Sequence, residues 1–297
     1  MANKWISKGY PVTTVLNIVD IAKSTYYSKL KESAKRNYSN VGRKIPGFSY
    51  TFSGEIVNDL VIQKYIKDIK NNKTSMYYGY RKVTYELRRK YNLKINKKKV
   101  RRLMKTLNLL GDNRKNKKPK MSRTCTNVKV TGSNQLWQMD IKYSFIAGTK
   151  KTAYITSIID VFNRELIYHF IDLSATGEVA KQVMLGALYV RGIKDNAKGL
   201  VLRTDNGSQF ISGTFEKACL KEEVVHERIP VRSPNYNAFI ESYHRYLQEE
   251  CLKGKMYLDL NHITLELNDY VYRYNHERIH SSIGYVSPHE YYIQNIS

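Results

Sequence analysis

Residues 136–146, Leu-Trp-Gln-Met-Asp-Ile-Lys-Tyr-Ser-Phe-Ile, decide the fold, because apolar and polar side chains alternate along them. The apolar side chains that share one face are Trp137, Met139, Ile141, Tyr143 and Phe145. A period of two is typical of a β-strand with one buried face. Asp140 lies on the opposite face, in the middle of this predicted strand, where aspartate is disfavoured.

The residues after this strand predict an α/β fold. Two more strands follow the turn-forming Gly148, at 152–161 and 165–172. Helices and short strands then alternate: a helix at 176–190, a strand at 199–203, a helix at 210–222, a strand at 224–229 and a largely helical stretch at 238–274. This order predicts a mixed sheet with helices on its faces.

The residues before position 133 predict helices. Two short helices are expected within 12–34, with Ser24 or Thr25 capping the second. Residues 37–54 predict a linker, because they are rich in Ser, Gly and Asn. Amphipathic helices over 55–71 and 79–91 follow.

A third helix of this region is predicted to begin after Asn96 as its cap and to end at Gly111. Its inward positions are Val100, Leu103, Met104 and Leu107, and its outward positions are Lys97, Lys98, Arg101, Arg102 and Lys105. A basic face of this kind suits a helix lying in a DNA groove. The alternative is a solvated basic helix without a ligand.

The net charge of +24 is confined to the first part of the chain. Residues 1–133 hold 32 Lys and Arg against 7 Asp and Glu, whereas residues 134–297 hold 18 against 19. Such a block indicates a polyanionic partner, with nucleic acid as the leading candidate. The run Arg114–Lys120 predicts a basic linker that follows phosphates.

The sequence supports neither a membrane-spanning protein nor a disulfide-rich protein. No apolar stretch approaches the ~18 residues that a membrane span needs, and the first residues lack an apolar secretory segment. Cys125, Cys219 and Cys251 show no paired spacing, which favours reduced structural thiols. These features predict a cytoplasmic protein.

Three carboxylates are candidates for chemistry, although each has an ordinary explanation when taken singly. Asp140 could face solvent, Asp205 could serve the turn at Asn206-Gly207, and Glu241 could be a solvated helical residue. Asp205 also ends a predicted strand, and open sheets bind ligands just beyond strand ends.

Together their contexts resemble a known family. These contexts are Trp137-Gln-Met-Asp140, Arg203-Thr-Asp205-Asn-Gly-Ser-Gln-Phe210 and Ser233-Pro-Asn-Tyr-Asn-Ala-Phe-Ile-Glu241-Ser242, with 35 residues between Asp205 and Glu241. The pattern resembles the Asp, Asp, 35-residue gap, Glu signature of transposases and retroviral integrases. Two further blocks, Tyr78-Gly-Tyr-Arg81 through Leu109 and Tyr274-Asn275 through Pro288, resemble OrfB-type transposases of insertion-sequence family three.

The resemblance implies a ribonuclease-H-like core in which two aspartates lie on neighbouring strands and the glutamate lies on a helix. It implies two Mg²⁺ or Mn²⁺ ions, with Asp140 bridging both and Asp205 and Glu241 each completing one. Hard cations favour such oxygen ligands. The implied activity is cutting DNA and joining the freed 3′-hydroxyl to another phosphodiester.

Five regions follow from these observations. They are an N-terminal helical remnant at 1–45, a helix-turn-helix DNA-binding module at 55–113, a basic linker at 114–133, a catalytic core at 134–250 and a helical tail at 251–297. Besides the basic helix, Asn237, Arg245 and Arg278 are candidate DNA contacts. The implied partners are element ends and target DNA, further copies of the chain, and an upstream-frame partner or fusion, which the short N-terminus favours.

The chain departs from the family pattern at Gln248, where members usually carry Lys or Arg two helical turns beyond the glutamate. Arg245, one turn after Glu241, is the predicted substitute. Retroviral integrases also carry an N-terminal zinc module of His and Cys, which this sequence lacks, and the bacterial branch is therefore preferred.

Two alternatives belong to other functional classes. His276-Glu277-Arg278-Ile279-His280 matches the H-E-x-x-H pattern of zinc proteases. A DNA-binding repressor with an inactive catalytic domain is the other alternative, and Gln248 is the feature that favours it.

Overall fold

The computed structural model describes residues 2–33, 46–110, 129–194, 196–230 and 234–295. The predicted linker Arg114–Lys120, Gly111 and Cys125 lie outside the described residues. Contacts divide the chain into two units, Met1–Gly47 and Phe48–Ser297. In the first unit, α1 (Ala2–Ile6), α2 (Val12–Ile18) and α3 (Lys23–Ser33) pack around Leu16. Helix α3 begins before Ser24 and Thr25, so neither residue precedes it as the predicted cap.

The second unit begins with a helical module that also contains a small sheet. Its elements are β1 (Phe48–Thr51), β2 (Ile56–Asn58), α4 (Asp59–Asn71), α5 (Tyr80–Tyr91), β3 (Leu93–Lys94) and α6 (Lys97–Thr106). The three strands pair antiparallel in the order β2-β1-β3. An all-helical region was therefore the wrong expectation for this part of the chain, although its three main helices are present.

Local hydrogen bonds explain where these helices begin. The Asn58 side chain accepts from the Leu60 N–H at 3.1 Å, so α4 starts at Asp59, whereas the helix was predicted from position 55. The predicted cap of α6 is confirmed, because Asn96 Oδ1 accepts from the Lys98 N–H at 2.8 Å. Helix α6 ends at Thr106, before the predicted end.

The remaining elements build a five-stranded sheet with helices on both faces. The strands are β4 (Leu136–Ile146), β5 (Lys151–Asp160), β6 (Leu166–Asp172), β7 (Val201–Thr204) and β8 (Val225–Arg228). The helices are α7 (Gly177–Val190), α8 (Gly213–Lys221), α9 (Ala238–Leu247), α10 (Leu260–His276) and α11 (Pro288–Gln294).

Sheet order is β6-β5-β4-β7-β8. Strands β4, β5 and β6 are antiparallel neighbours, whereas β4, β7 and β8 run parallel. This mixed arrangement is the ribonuclease-H-like fold, and it confirms the predicted fold class. Strand β4 lies in the centre with a partner on each side.

The two faces of the sheet bury separate apolar clusters. Trp137, Met139 and Ile141 pack with side chains of α7 and α8. The opposite face packs with α9 and α10. Even-numbered residues of β4 face this second layer, so Gln138 and Asp140 point toward α9.

The predicted helical stretch 238–274 is divided in two. A π-helical turn, Gln248–Leu252, follows α9, and Gly254 then adopts a left-handed φ of 75°. Asp259 starts α10 by accepting from the His262 N–H at 2.8 Å. These features separate α9 from α10.

The C-terminal segment packs against the helical module. Ile279 belongs to the apolar core of that module, and its N–H donates to Tyr78 Oη at 3.0 Å. Tyr285 stacks on Tyr85 with ring centroids 5.0 Å apart. Within the described ranges, no helix is long and apolar enough to cross a membrane.

Candidate active site

The strand register brings the first two candidate carboxylates together. Strands β4 and β7 are parallel, with Gln138 opposite Arg203. Two residues further along each strand stand Asp140 and Asp205. Because neighbouring strands lie about 4.8 Å apart, this register makes the two aspartates neighbours at the end of β7.

Glu241 comes to the same place on α9, and Gln138 anchors that helix to β4. The Gln138 Oε1 atom accepts from the backbone N–H groups of Phe239 and Ile240 at 3.1 and 3.0 Å. These belong to the first turn of α9, whose N–H groups lack partners within the helix. The Gln138 Nε2 atom donates to the Tyr236 carbonyl at 2.7 Å. A fully buried amide therefore fixes the helix that carries Glu241 to the strand that carries Asp140.

A second anchor is Arg203 on β7. Its Nη1 donates to the same Tyr236 carbonyl at 3.1 Å, and its Nε donates to Glu227 Oε2 at 2.8 Å. The guanidinium also lies over the Tyr236 ring, 5.4 Å from its centroid. The turn that leads into α9 is thus held from both neighbouring strands.

The three carboxylates concentrate negative charge in one region, where His244 partly offsets the effect of Asp140 on Glu241. Burial raises the pKa of Asp205, and the charge of Asp140 raises it further against a hydrogen bond from the Gly207 N–H. Burial and then the charge of Asp140 likewise raise the pKa of Glu241. The charge of Asp140 therefore raises the pKa of both other carboxylates.

His244 is the charged or polar neighbour that sequence reasoning missed. It lies on α9 one turn after Glu241, is buried, and places Nδ1 3.3 Å from Asp140 Oδ2. Its Nε2 atom has no hydrogen-bond partner within the described part of the chain. The spacing Glu241 to His244 is a signal that would have placed both on one helix face.

Gln138 and Arg203 were also missed. Gln138 stands two residues before Asp140, so the alternation of β4 already puts both on the same face. Gln138 and Tyr236, which form a hydrogen bond, are 98 residues apart in the sequence, so no local sequence pattern predicts their contact.

This donor set fits hard divalent cations. All three groups are carboxylates, which Mg²⁺ and Mn²⁺ favour. Burial first and then the charge of Asp140 raise the pKa of Asp205 and of Glu241, and a bound cation would offset both effects. Across the described residues, no three His, Cys, Asp or Glu side chains stand close enough together to enclose an ion. Asp140, Asp205 and Glu241 would hold the metal after a further approach of their side chains.

The predicted DNA contacts of α6 have different surroundings. Lys97, Lys98, Arg101 and Lys105 are exposed. Arg102 instead pairs with Asp59 of α4 at 3.0 Å, which ties it to the module.

Arg245 and Asn237, which are also predicted DNA contacts, differ in their exposure to solvent. Arg245 is exposed and lies over the Tyr246 ring at 5.1 Å, with Nη2 donating to Ser242 Oγ. Asn237 is buried directly before α9. Gln248 begins the π-helical turn and is half-buried.

Arg278 is not available to DNA in this arrangement. Its side chain is 6 % exposed, and Nη2 lies 2.7 Å from Glu250 Oε1. The guanidinium also covers the Tyr246 ring at 4.0 Å. We therefore assign Arg278 a structural role and remove it from the candidate DNA contacts.

The H-E-x-x-H motif does not form a zinc site. Helix α10 ends at His276, and His280 has extended backbone angles of −122° and 126°, so the two histidines do not share a helix face. Glu277 Oε2 accepts from Thr74 Oγ1 at 2.6 Å. The motif belongs to the contact between the C-terminal segment and the module.

Family models match the regions built above. Two models described as Integrase core domain match residues 130–234 and 222–288, which together are more than half of the 297 residues. A model described as HTH-like domain matches residues 57–118.

Three relatives come from bacterial insertion elements. The InsK protein of insertion sequence element IS150 from Escherichia coli K12 is 25 % identical over 294 residues, which cover 95 % of this chain and 93 % of InsK. The transposase InsD of insertion element IS2D from the same strain is 29 % identical over 220 residues, which cover 72 % of this chain and 73 % of InsD. A protein of insertion element IS476 from Xanthomonas euvesicatoria is 27 % identical over 72 % of this chain, and the match spans 60 % of its length.

Among solved structures, the magnesium complex of the HTLV-2 integrase catalytic core aligns with a TM-score of 0.39 and 15 % identity, over 55 % of this chain and 99 % of that core. Along this chain the HTH-like match precedes the two integrase core matches, and the relatives from insertion elements cover most of the same residues. The chain therefore belongs to the OrfB-type transposases of insertion-sequence family three and carries an integrase-type catalytic core.

Proposed function

We propose that this transposase cuts DNA at the ends of an insertion sequence and joins the freed strand to a target, with Asp140, Asp205 and Glu241 as the catalytic carboxylates. The observation that supports the proposal is that the register of β4 and β7 puts Asp140 beside Asp205, while Gln138 anchors the helix of Glu241 to β4. Two divalent cations held by these residues would activate the attacking oxygen and stabilise the leaving oxygen of a phosphodiester.

The chain's own groups have distinct tasks in this proposal. Asp140 interacts electrostatically with both other carboxylates, so it would help each of them to hold a divalent cation. His244 contacts Asp140 Oδ2 and would orient that carboxylate. Gln138 and Arg203 are positioning residues, because they hold the turn before α9 and touch no reacting atom.

DNA is the proposed substrate, and we propose that the basic face of α6 binds it. Lys97, Lys98, Arg101 and Lys105 are exposed together on that helix. Cutting two element ends requires at least two copies of the chain, so we propose an oligomer on DNA. An upstream-frame partner that recognises the element ends remains part of the proposal.

The test is strand cutting on a plasmid that carries the DNA flanking the gene. Wild type is compared with Glu241→Gln in Mg²⁺, in Mn²⁺ and in chelator. The matched control is Glu249→Gln, an exposed glutamate nearby that pairs only with Lys253 at 3.3 Å in the described structure. We expect metal-dependent nicks and joined products with wild type and control, and none with Glu241→Gln. Equal products from all three proteins would exclude Glu241 from the chemistry.

A further inference from the structure

A cavity of about 450 Å³ lies outside the carboxylate site, between α5, the start of α6 and the turn after Ile283. Its walls include Arg81, Tyr85, Arg88, Asn96, Lys97 and Tyr285. The three residues from α5 have the spacing i, i+4 and i+7, which puts them on one helix face. Tyr285 comes from the C-terminal segment, so two distant parts of the chain build this cavity.

Positive charge is concentrated around the cavity. None of its described lining residues is acidic, and neither Arg81 nor Lys97 has a carboxylate partner within the described residues. This positive charge lowers the pKa of the neighbouring Tyr80 hydroxyl. The largest contribution is a hydrogen bond from Arg81, and the positive charges of Arg81, Arg101 and Lys97 lower the pKa further. Arg88 is held in place by two hydrogen bonds to the Ile95 carbonyl, at 3.1 and 2.7 Å.

Helix α6 adds a second attraction for an anion. Asn96 and Lys97 mark its first turn, where backbone N–H groups and the helix dipole favour negative charge. Asn96 Oδ1 already accepts from the Lys98 N–H. The helix end therefore supplements the cationic side chains of the cavity and does not act alone.

The aromatic wall is held in a costly backbone conformation. Tyr285 has a φ of 63°, which a bulky residue rarely adopts. Its N–H donates to the His280 carbonyl at 2.8 Å, and the His280 N–H donates to the Val286 carbonyl at 2.9 Å, so the turn is closed. The ring lies nearly parallel to that of Tyr85, with an interplanar angle of 16°. Residues with such strain often serve binding sites.

We propose that this cavity binds a phosphodiester group of DNA, and that Tyr285 thereby extends the DNA site of the helical module onto the C-terminal segment. The cations and the helix start hold the phosphate, and the tyrosine wall contacts the adjoining sugar. Backbone contacts of this kind fix the position of DNA and carry no sequence information. The inference rests on the proposed function, because it takes DNA as the partner.

The first test is fluorescence anisotropy of labelled duplexes of arbitrary sequence, measured over a series of salt concentrations. The variant is Arg81→Gln, since Arg81 lines the cavity and is not part of the basic face of α6, and the control of equal charge is Lys64→Gln on the exposed face of α4. Loss of one phosphate contact should lower the salt slope by about 0.9 and weaken binding by roughly threefold to tenfold, equally for unrelated sequences. Equal slopes and affinities for the two variants would overturn the proposal.

The second test isolates the aromatic wall. Tyr285→Gly removes the ring while glycine suits the positive φ, so the turn should persist. Asn92→Gly is the control, since Asn92 has a φ of 51° in the same module and does not line the cavity. We expect only Tyr285→Gly to weaken binding severalfold, with melting temperatures of both variants recorded. If wild type binds no DNA, the proposed function fails with this inference. If wild type binds and cuts DNA while every variant matches its control, the cavity proposal alone fails.

Discussion

At the scale of single residues, Gln138 connects the strand and the helix that carry the catalytic carboxylates. Its amide makes three hydrogen bonds, two to the first turn of α9 and one to Tyr236. Replacing it leaves buried backbone groups without partners, which costs about 1–3 kcal/mol for each group. The position of Glu241 therefore depends on a residue that bears no charge.

We expect Gln138→Leu to lower the melting temperature and to reduce strand cutting more strongly than DNA binding. The leucine fills the space but offers neither acceptor nor donor to α9. Gln135→Leu is the control, because Gln135 is exposed and, among the described residues, its side chain bonds only to Thr131. Thermal unfolding, cutting rate and DNA affinity are measured together. Loss of DNA affinity equal to the loss of cutting would contradict a positioning role.

The ionised Asp205 side chain is expected to lower the stability of the folded protein at neutral pH, although the proposed metal site needs it. Its pKa is raised on folding, so the folded state binds the proton more tightly and stability falls as pH rises above the ordinary aspartate range. Asp205→Asn should therefore raise the melting temperature at neutral pH in chelator. It should also abolish the further rise that Mg²⁺ produces in wild type. A variant less stable than wild type in chelator would contradict this electrostatic explanation.

At the scale of elements, regular periodicity made most of the core predictable. Strands β4, β5 and β6 and helix α7 appear within a residue or two of their predicted bounds, because each has a run of seven or more residues whose apolar pattern can be recognised. Strands β1 and β3 were missed, since two to four residues carry no readable period. The break between α9 and α10 was missed because Gly254 and Asp259 act through backbone geometry and capping.

Helix α5 contributes a half-buried lysine to the contact between the module and the core. Lys82 Nζ lies 4.8 Å from the centroid of the Tyr78 ring, and Arg278 and Glu250 are its charged neighbours. Burial lowers the pKa of Lys82 from 10.5 to about 7. Between these two values the unfolded chain binds more protons than the folded one, so stability rises with pH.

Substitution of Lys82 should remove that pH dependence. We expect Lys82→Met to be more stable than wild type near the pKa of about 7, with the difference shrinking as pH approaches 10.5. Urea unfolding of both proteins across this range measures the difference. Lys64→Met, an exposed lysine on α4, is the control. A constant difference at all pH values would show that the lysine is charged in the folded state throughout.

At the scale of the whole molecule, the C-terminal segment joins the helical module to the catalytic core. Glu250 follows α9 directly, and its partner Arg278 adjoins the contact with Tyr78 and Ile279. This connection was not foreseen, because the paired residues lie far apart in sequence and the tail was treated as a separate helical region. The motif His276–His280 is explained by this contact.

The Glu250–Arg278 pair should behave as a buried ion pair. Arg278→Met leaves Glu250 uncompensated and is expected to cost about 3–5 kcal/mol of unfolding free energy. Adding Glu250→Met should recover most of that loss. Lys73→Met breaks an exposed pair with Asp269 and should cost less than about 1 kcal/mol. Additive losses in the double variant would contradict direct coupling.

The most direct measurement is the cutting rate of single and double carboxylate variants in Mg²⁺, using Asp140→Asn, Asp205→Asn and Glu241→Gln. If the three residues act as one metal-binding set, each single variant loses nearly all cutting and the double variants lose no more. Each protein should still bind DNA as wild type does. A single variant that retains substantial metal-dependent cutting, or losses that multiply from single to double variants, would contradict the claim that these carboxylates form one catalytic site.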